Sequence, residues 1–121
     1  MATLKAKLIL TSTDLTTDSL SSETTNSLTV TEGGVQRKDI AGTSAGAATV
    51  LAVNGEYSTG TYVYLRNCDT TAGDYLYVTF STGDHLIIQG GEWAWLPWST
   101  AADIKVHAQT ANTMLEYGIF S

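Results

Sequence analysis

Side chains able to act as nucleophiles or bases are few in this sequence. A single thiol, Cys68, and two imidazoles, His85 and His107, are its only cysteine and histidines. Nucleophilic catalysis requires a nucleophile, a base and an orienting group to be brought together, and Cys68 with His85 is the best candidate pair. The alternative is structural, with Cys68 ending one strand as a small apolar residue and His85 beginning another. We favour this alternative and predict no catalytic residue.

Oxygen ligands for a metal ion and paired carboxylates are the next candidates. Asn67, Asp69 and Asp74 surround one turn and offer oxygens to calcium, although their spacing does not match an EF-hand loop. Asp and Asn are expected in such a turn anyway, because their side chains bond the nearby backbone. Glu92, beside Trp93, is the best candidate acid for glycoside hydrolysis. We favour a solvated Glu92 after a Gly-Gly turn, and we predict no metal, no cofactor and no enzymatic activity.

Three tryptophans close together form the most informative segment. Trp93 and Trp95 share one face if residues 92–96 form a strand, and Trp98 follows them. Three roles remain open for this cluster: a core layer, an interface between subunits, where Trp is enriched, and a platform for stacking sugar rings. The residues that we predict to contact other subunits are Trp93, Trp95, Trp98 and the small-residue loop at 41–48, including Thr43 and Ser44.

These residues lie in a sequence that alternates as β-strands do. Short segments with a period of two are separated by turn dipeptides such as Asn-Gly and Gly-Gly, and the clearest strands are residues 61–67 and 75–80. Residues 12–26 are almost entirely polar, which predicts a long loop or an arm that orders on binding. The whole pattern predicts an all-β fold, a single-domain, jelly-roll-like β-sandwich over residues 1–121 with eight or nine short antiparallel strands.

Composition and charge narrow the function classes. Of the 121 residues, 43% are hydrophobic and only 15% are charged, which fits one folded domain. The formal net charge of −6 repels phosphate groups, so we expect neither nucleic acid nor an anionic membrane as a partner. The single cysteine permits no intrachain disulfide, and the N-terminus does not have the pattern of a signal peptide. We therefore expect synthesis in a cytoplasm.

The C-terminal half combines several strand motifs in a recurring order. A strand ending in Asn-x-Asp precedes a strand of alternating aromatics, and a Gly-Glu step leads into a strand ending near proline. Two closing strands read Ile-Lys-Val-His-Ala and Leu-Glu-Tyr-Gly-Ile-Phe, and the chain opens with Met-Ala-Thr-Leu-Lys-Ala-Lys-Leu. This pattern resembles small virion structural proteins of tailed bacteriophages. It covers roughly residues 61–121 and the first strand, and it does not cover residues 12–60.

The resemblance implies a non-enzymatic virion protein. Capsid decoration (cement), head-fibre and tail-adaptor subunits are similar to about the same degree, and we favour a capsid decoration protein that binds the assembled capsid as an oligomer. By analogy, it implies a homotrimer that is made in the host cytoplasm and contacts the major capsid protein or other virion subunits. The alternative is a tail or head fibre, or a lectin-like carbohydrate-binding module for host attachment whose partner is a host glycan.

Overall fold

The computed structural model of the protein describes residues 2–14, 19–53, 55–57, 60–81, 84–99 and 102–121, with the backbone alone at 81, 84 and 85. Its contacts group the chain into two compact units, Met1–Thr31 and Glu32–Ser121. The single-domain organisation of residues 1–121 stays a prediction. Within the described ranges, no helix is long and apolar enough to span a lipid bilayer.

Ten β-strands and one short 3₁₀ helix, Ala45–Ala47, account for the regular structure of the described residues. The prediction of an all-β fold is confirmed, with ten strands rather than eight or nine. In chain order the strands are β1 (Ala2–Ser12), β2 (Leu20–Val30), β3 (Val35–Ile40), β4 (Thr49–Ala52), β5 (Thr61–Asn67), β6 (Leu76–Ser81), β7 (Asp84–Ile88), β8 (Trp93–Trp98), β9 (Ile104–Ala108) and β10 (Thr113–Phe120).

The second unit is a sandwich of two four-stranded antiparallel sheets. One sheet has the order β3-β10-β5-β8 and the other has the order β4-β9-β6-β7. Consecutive strands such as β3 and β4, or β7 and β8, therefore belong to opposite sheets, which is the strand order of a jelly roll. Full sheet closure does not occur, so β3 and β8 are the edges of one sheet and β4 and β7 the edges of the other.

The core lies between these two sheets, and burial alternates along strands such as β5 and β9. In β5, Val63 and Leu65 are fully buried between less buried neighbours, and Ile104 and Val106 repeat the pattern in β9. Alternation arises because successive side chains of a strand point to opposite faces. The other buried hydrophobic residues of the cluster are Ile40, Ala52, Leu76, Val78, Ile88, Trp98, Ala108, Leu115, Tyr117 and Ile119.

A buried asparagine joins the end of β5 to the opposite sheet. The Asn67 side-chain amide donates to the carbonyl oxygens of Asp74, at 2.7 Å, and Ile88, at 3.0 Å. Its side-chain oxygen accepts a hydrogen bond from the backbone amide of Asp69 at 2.9 Å. Since a buried polar group is costly without partners, this full set of bonds explains how asparagine is accommodated at a core position.

The first unit is a two-stranded antiparallel ribbon formed by β1 and β2. All eleven residues of each strand are paired, from Ala2 opposite Val30 to Ser12 opposite Leu20. The prediction that residues 12–26 are a loop is therefore wrong for Ser12 and for residues 20–26, and its residues 15–18 lie outside the described ranges. Those residues are polar because they lie in an exposed strand, and their hydroxyl-bearing side chains still suit extended backbone.

Candidate functional site

Strand register places two of the three clustered tryptophans on the outer face of the β3-β10-β5-β8 sheet. Trp93 is paired with Arg66 and Trp95 with Tyr64, all of which point away from the core. Trp98, five positions after Trp93, points inward instead. The three tryptophans therefore differ in burial: Trp93 is exposed, Trp95 is half-buried and Trp98 is buried.

Trp98 is a core residue. Only 4% of its surface is exposed, and its indole nitrogen donates to the carbonyl oxygen of Ala102 at 3.1 Å. Its ring meets Tyr57 edge-on, with ring centroids 5.9 Å apart. A direct contact with another subunit, which the sequence analysis predicted for Trp98 together with its neighbours, does not fit this burial.

Trp95 is half-buried within an aromatic stack on the outer face. Its ring lies parallel to Tyr62, with centroids 5.3 Å apart, and Phe120 lies 5.8 Å away. Phe120 in turn lies across Gly118, where an added Cβ would approach the phenyl ring to 2.9 Å. Glycine is required at this position because an added Cβ would also lie only 2.7 Å from the backbone carbonyl oxygen of Gly34.

Trp93 is the tryptophan that solvent reaches, with 54% of its surface exposed. It therefore remains available for the predicted contact with other subunits, which stays a prediction. Trp95 lies on the same face, but its ring is stacked on Tyr62 and is less exposed than that of Trp93. We call Trp93, Trp95, Tyr62 and Phe120 the aromatic face.

A charged cluster that sequence reasoning missed lies on the same sheet. The carboxylate of Glu116 accepts hydrogen bonds from the Tyr64 hydroxyl at 2.8 Å and from the Arg37 guanidinium at 2.9 Å. The bond from Tyr64, followed by the bond from Arg37, holds the pKa of Glu116 below its ordinary value. The hydrogen bond between Arg37 and Glu116 also raises the pKa of Arg37. The cluster cannot be predicted from a local sequence motif, because its members come from β10, β5 and β3 and are neighbours only across the sheet.

The loop between β3 and β4 carries Thr43 and Ser44, the other predicted contact residues. Both are exposed, and the loop is tightly built rather than extended. The Ser44 carbonyl oxygen accepts a hydrogen bond from Ala47, and a Cβ on Gly42 would collide with the Ala47 carbonyl group. Their contact with another subunit stays a prediction.

The apolar surface of the ribbon is a second candidate contact site. Leu8, Leu10 and Leu20 lie on one face, and 41%, 50% and 36% of their surfaces are exposed. On the opposite face Lys7 forms an ion pair with Glu23 at 3.1 Å, beside the exposed Ile9. We call Leu8, Leu10 and Leu20 the ribbon tip.

Other candidates for chemistry have structural partners. Asp69 accepts the backbone amide of Thr71 and Glu92 accepts that of Gln89, each through a side-chain oxygen. The His107 ring stacks on Tyr77, with centroids 4.8 Å apart, and the His85 side chain lies outside the described residues. Among the described side chains, no group of three His, Cys, Asp or Glu residues is arranged to hold a metal ion.

Comparison with known proteins supports a small β-rich fold. The chain matches no protein-family model and no curated protein. It is similar to the structure of Bacillus endospore appendages that form a family of disulfide-linked pili, with a TM-score of 0.53 and 18% identity over 74% of this chain and 81% of that chain. A de novo designed double-stranded β-helix is also similar, with a TM-score of 0.44 and 15% identity over 74% of this chain and 97% of that one. At this level of identity the appendage protein shows the fold alone.

Proposed function

We propose that this protein is a non-enzymatic structural subunit that acts by assembling with copies of itself and with other proteins. The observation that carries the proposal is the β1–β2 ribbon. It pairs eleven residues on each strand but contains only two strands, and the leucines of its tip are exposed to solvent. A two-stranded hairpin is marginally stable by itself, so such a ribbon gains order when its apolar face is covered.

The similarity in fold to a protein of Bacillus endospore appendages, which form disulfide-linked pili, supports a structural role. For the finer role we propose a capsid decoration (cement) protein of a tailed bacteriophage, on the basis of the strand motifs in residues 61–121. In this role the chain forms a homotrimer, is made in the host cytoplasm and binds the major capsid protein in the virion. Repetition of weak contacts by symmetry supplies avidity that one small subunit lacks.

We propose specific surfaces for these contacts. The ribbon tip packs against a neighbouring copy, and Trp93 provides an anchor on the aromatic face. Trp is the residue type that dominates the energy of many protein interfaces. Copies of a subunit with a net charge of −6 repel one another electrostatically. The apolar contacts therefore supply the free energy of association.

The ribbon tip can be tested with the double variant Leu8→Ser/Leu10→Ser. Both leucines are half-exposed, so covering them fully contributes about 2–3 kcal/mol in each contact, or about 30- to 150-fold in the dissociation constant. Sedimentation velocity over a concentration series should show the wild-type oligomer and a dissociated double variant. The matched control is Ile9→Ser, which removes an equally exposed apolar side chain from the opposite face and should leave the oligomer intact.

A monomeric wild-type protein at every concentration would contradict the proposed self-assembly. The finer role is tested separately by quantitative mass spectrometry of purified particles. A decoration protein should be present at a copy number comparable with that of the major capsid protein. A few copies per particle would instead indicate the tail or neck, and absence from particles would exclude a virion role.

A further inference from the structure

A cavity of about 420 Å³ lies where the two sheets of the sandwich part at one edge. Strand β3 is the edge of one sheet and β4 is the edge of the other, and both contribute to the lining. The side chains that determine its chemistry are Glu32, Gln36, Leu51, Tyr57, Tyr117 and Ile119. All of them belong to the second unit, and none belongs to the aromatic face or to the ribbon.

The inner wall holds a buried phenol. Tyr117 points inward from β10 and is only 7% exposed, and burial raises the pKa of its hydroxyl. This hydroxyl forms no hydrogen bond with any part of the chain that the structure describes, although Tyr117 lines the cavity. The hydroxyl oxygen is not itself fully buried, so a ligand in the cavity can reach it and replace water as its hydrogen-bond partner.

A second phenol forms the opposite wall. Tyr57 is half-buried, and its ring packs edge-on against the indole of the core residue Trp98. Burial raises the pKa of Tyr57 first, and the negative charges of Glu56 and Glu32 and the neighbouring Tyr117 raise it further. Both phenols are therefore held in their neutral form, in which each hydroxyl can donate and accept a hydrogen bond.

The remaining groups define which ligand fits. Gln36, opposite Tyr117 in the register of β3 and β10, adds an amide that both donates and accepts, and Glu32 adds a carboxylate. Leu51 and Ile119 add aliphatic surface between them. The carboxylate disfavours an anion, and the two phenols with an amide disfavour a purely hydrocarbon ligand because their hydrogen bonds would be lost.

We propose that this cavity binds a single neutral sugar ring. A pyranose presents hydroxyl groups around its edge, which suit phenols, an amide and a carboxylate, and an apolar C–H surface, which suits aromatic and aliphatic walls. The volume is in the lower part of the range for small-molecule sites. The site does not depend on the proposed structural role, since a virion subunit and a protein with another role can both hold a glycan in it.

The experiment is an NMR titration of the ¹⁵N-labelled full-length protein with methyl glycosides of glucose, galactose, mannose, rhamnose and N-acetylglucosamine at millimolar concentrations. At least one glycoside should shift the backbone amides of Gln36, Leu51 and Tyr117 and leave that of Trp93 unchanged. Tyr117→Phe should weaken that binding by about three- to tenfold, the effect of one lost hydrogen bond. Tyr64→Phe, which removes a hydroxyl from the outer face of the same sheet, is the matched control and should bind as the wild type does.

A second variant guards against an unfolded Tyr117→Phe protein. Nothing lies within 4 Å of a Cβ at Gly34, and its φ angle is not positive, so Gly34→Val fits the fold while narrowing the cavity where Gly34 lines it. This variant should lose binding while keeping the dispersed wild-type spectrum. The proposal is overturned if none of the five glycosides shifts these amides, if the shifts centre on Trp93, or if both cavity variants bind with wild-type affinity.

Discussion

Replacing Asn67 with alanine should destabilise the sandwich more than any surface substitution. The side chain makes three hydrogen bonds to backbone groups, two as donor and one as acceptor, across the gap between the end of β5 and the β6–β7 side of the opposite sheet. Alanine keeps the extended backbone and removes all three bonds together. The three backbone groups would then remain near the core without their partners.

The expected magnitude follows from the burial of each group. The bond to the Ile88 carbonyl is buried, so loss of its donor costs about 1–3 kcal/mol. The bonds to the Asp74 carbonyl and the Asp69 amide are partly buried, where water can replace the lost partner, and each costs about 0.5–1.5 kcal/mol. The sum is about 2–6 kcal/mol, and at about 5 °C per kcal/mol for a domain of this size the Tm should fall by about 10–30 °C.

Chemical denaturation followed by circular dichroism measures this change in the free energy of unfolding. Asn67→Asp is the informative companion, because it keeps the acceptor for Asp69 but turns a carboxylate toward two carbonyl oxygens, so it should be at least as destabilising. The control is Thr110→Ala, an exposed residue whose carbonyl oxygen, not its side chain, accepts the Thr113 hydroxyl. A loss below about 1 kcal/mol for Asn67→Ala would falsify the reasoning, because the network would then contribute no more than one ordinary hydrogen bond.

Two further predictions concern residues of the β3-β10-β5-β8 sheet. Trp98→Ala should lower the free energy of unfolding by about 3–5 kcal/mol because it empties a core site, whereas Trp93→Ala should change it by less than about 0.5 kcal/mol in the dissociated subunit, as measured by denaturant titration. Because the pKa of Glu116 is lowered in the folded state, its contribution to stability is present above the unfolded-state value near 4.5 and is lost as the pH falls through the lower folded value. Glu116→Gln should flatten the part of the stability–pH curve below pH 4.5 measured by thermal unfolding, and an unchanged curve would show that the cluster is not coupled to folding.

The strands that were easiest to predict are those with one buried face. Residues 61–67 coincide with β5, because Val63 and Leu65 are fully buried while their neighbours Tyr62 and Tyr64 remain half-buried on the outer face. This contrast in burial is what produces a visible period of two in the sequence. The all-β sandwich also agrees with the prediction, but its strand order was not predicted, because that order is set by contacts between distant segments that alternation does not encode.

In the ribbon, alternation predicted the first strand and a short strand at residues 27–31, and it missed residues 20–26 for the converse physical reason. In β1 the face with Leu4, Leu8 and Leu10 is apolar and alternates clearly. Its partner β2 places Ser22 and Thr24 on that same face, so the period-two signal is absent where the backbone is nonetheless fully paired. Hydroxyl side chains permit a strand without requiring one, and the pairing with β1 decides the outcome.

The three tryptophans show that position along β8 decides which side chains pack in the core and which reach the surface. Trp93 and Trp98 differ by an odd number of positions in one strand, so the pleat sends them to opposite faces. The sequence indicated that the segment is extended, but the assignment of the inner face required the partner strand. Pairing with β5 supplies it, because Trp98 is opposite the fully buried Thr61 and Trp93 is opposite the exposed Arg66. The pairing of β10 with β3 and β5 likewise places Glu116 near Arg37 and Tyr64 and leaves the Tyr117 phenol facing inward. Both the charged cluster and the cavity therefore depend on strand pairing rather than on any local motif.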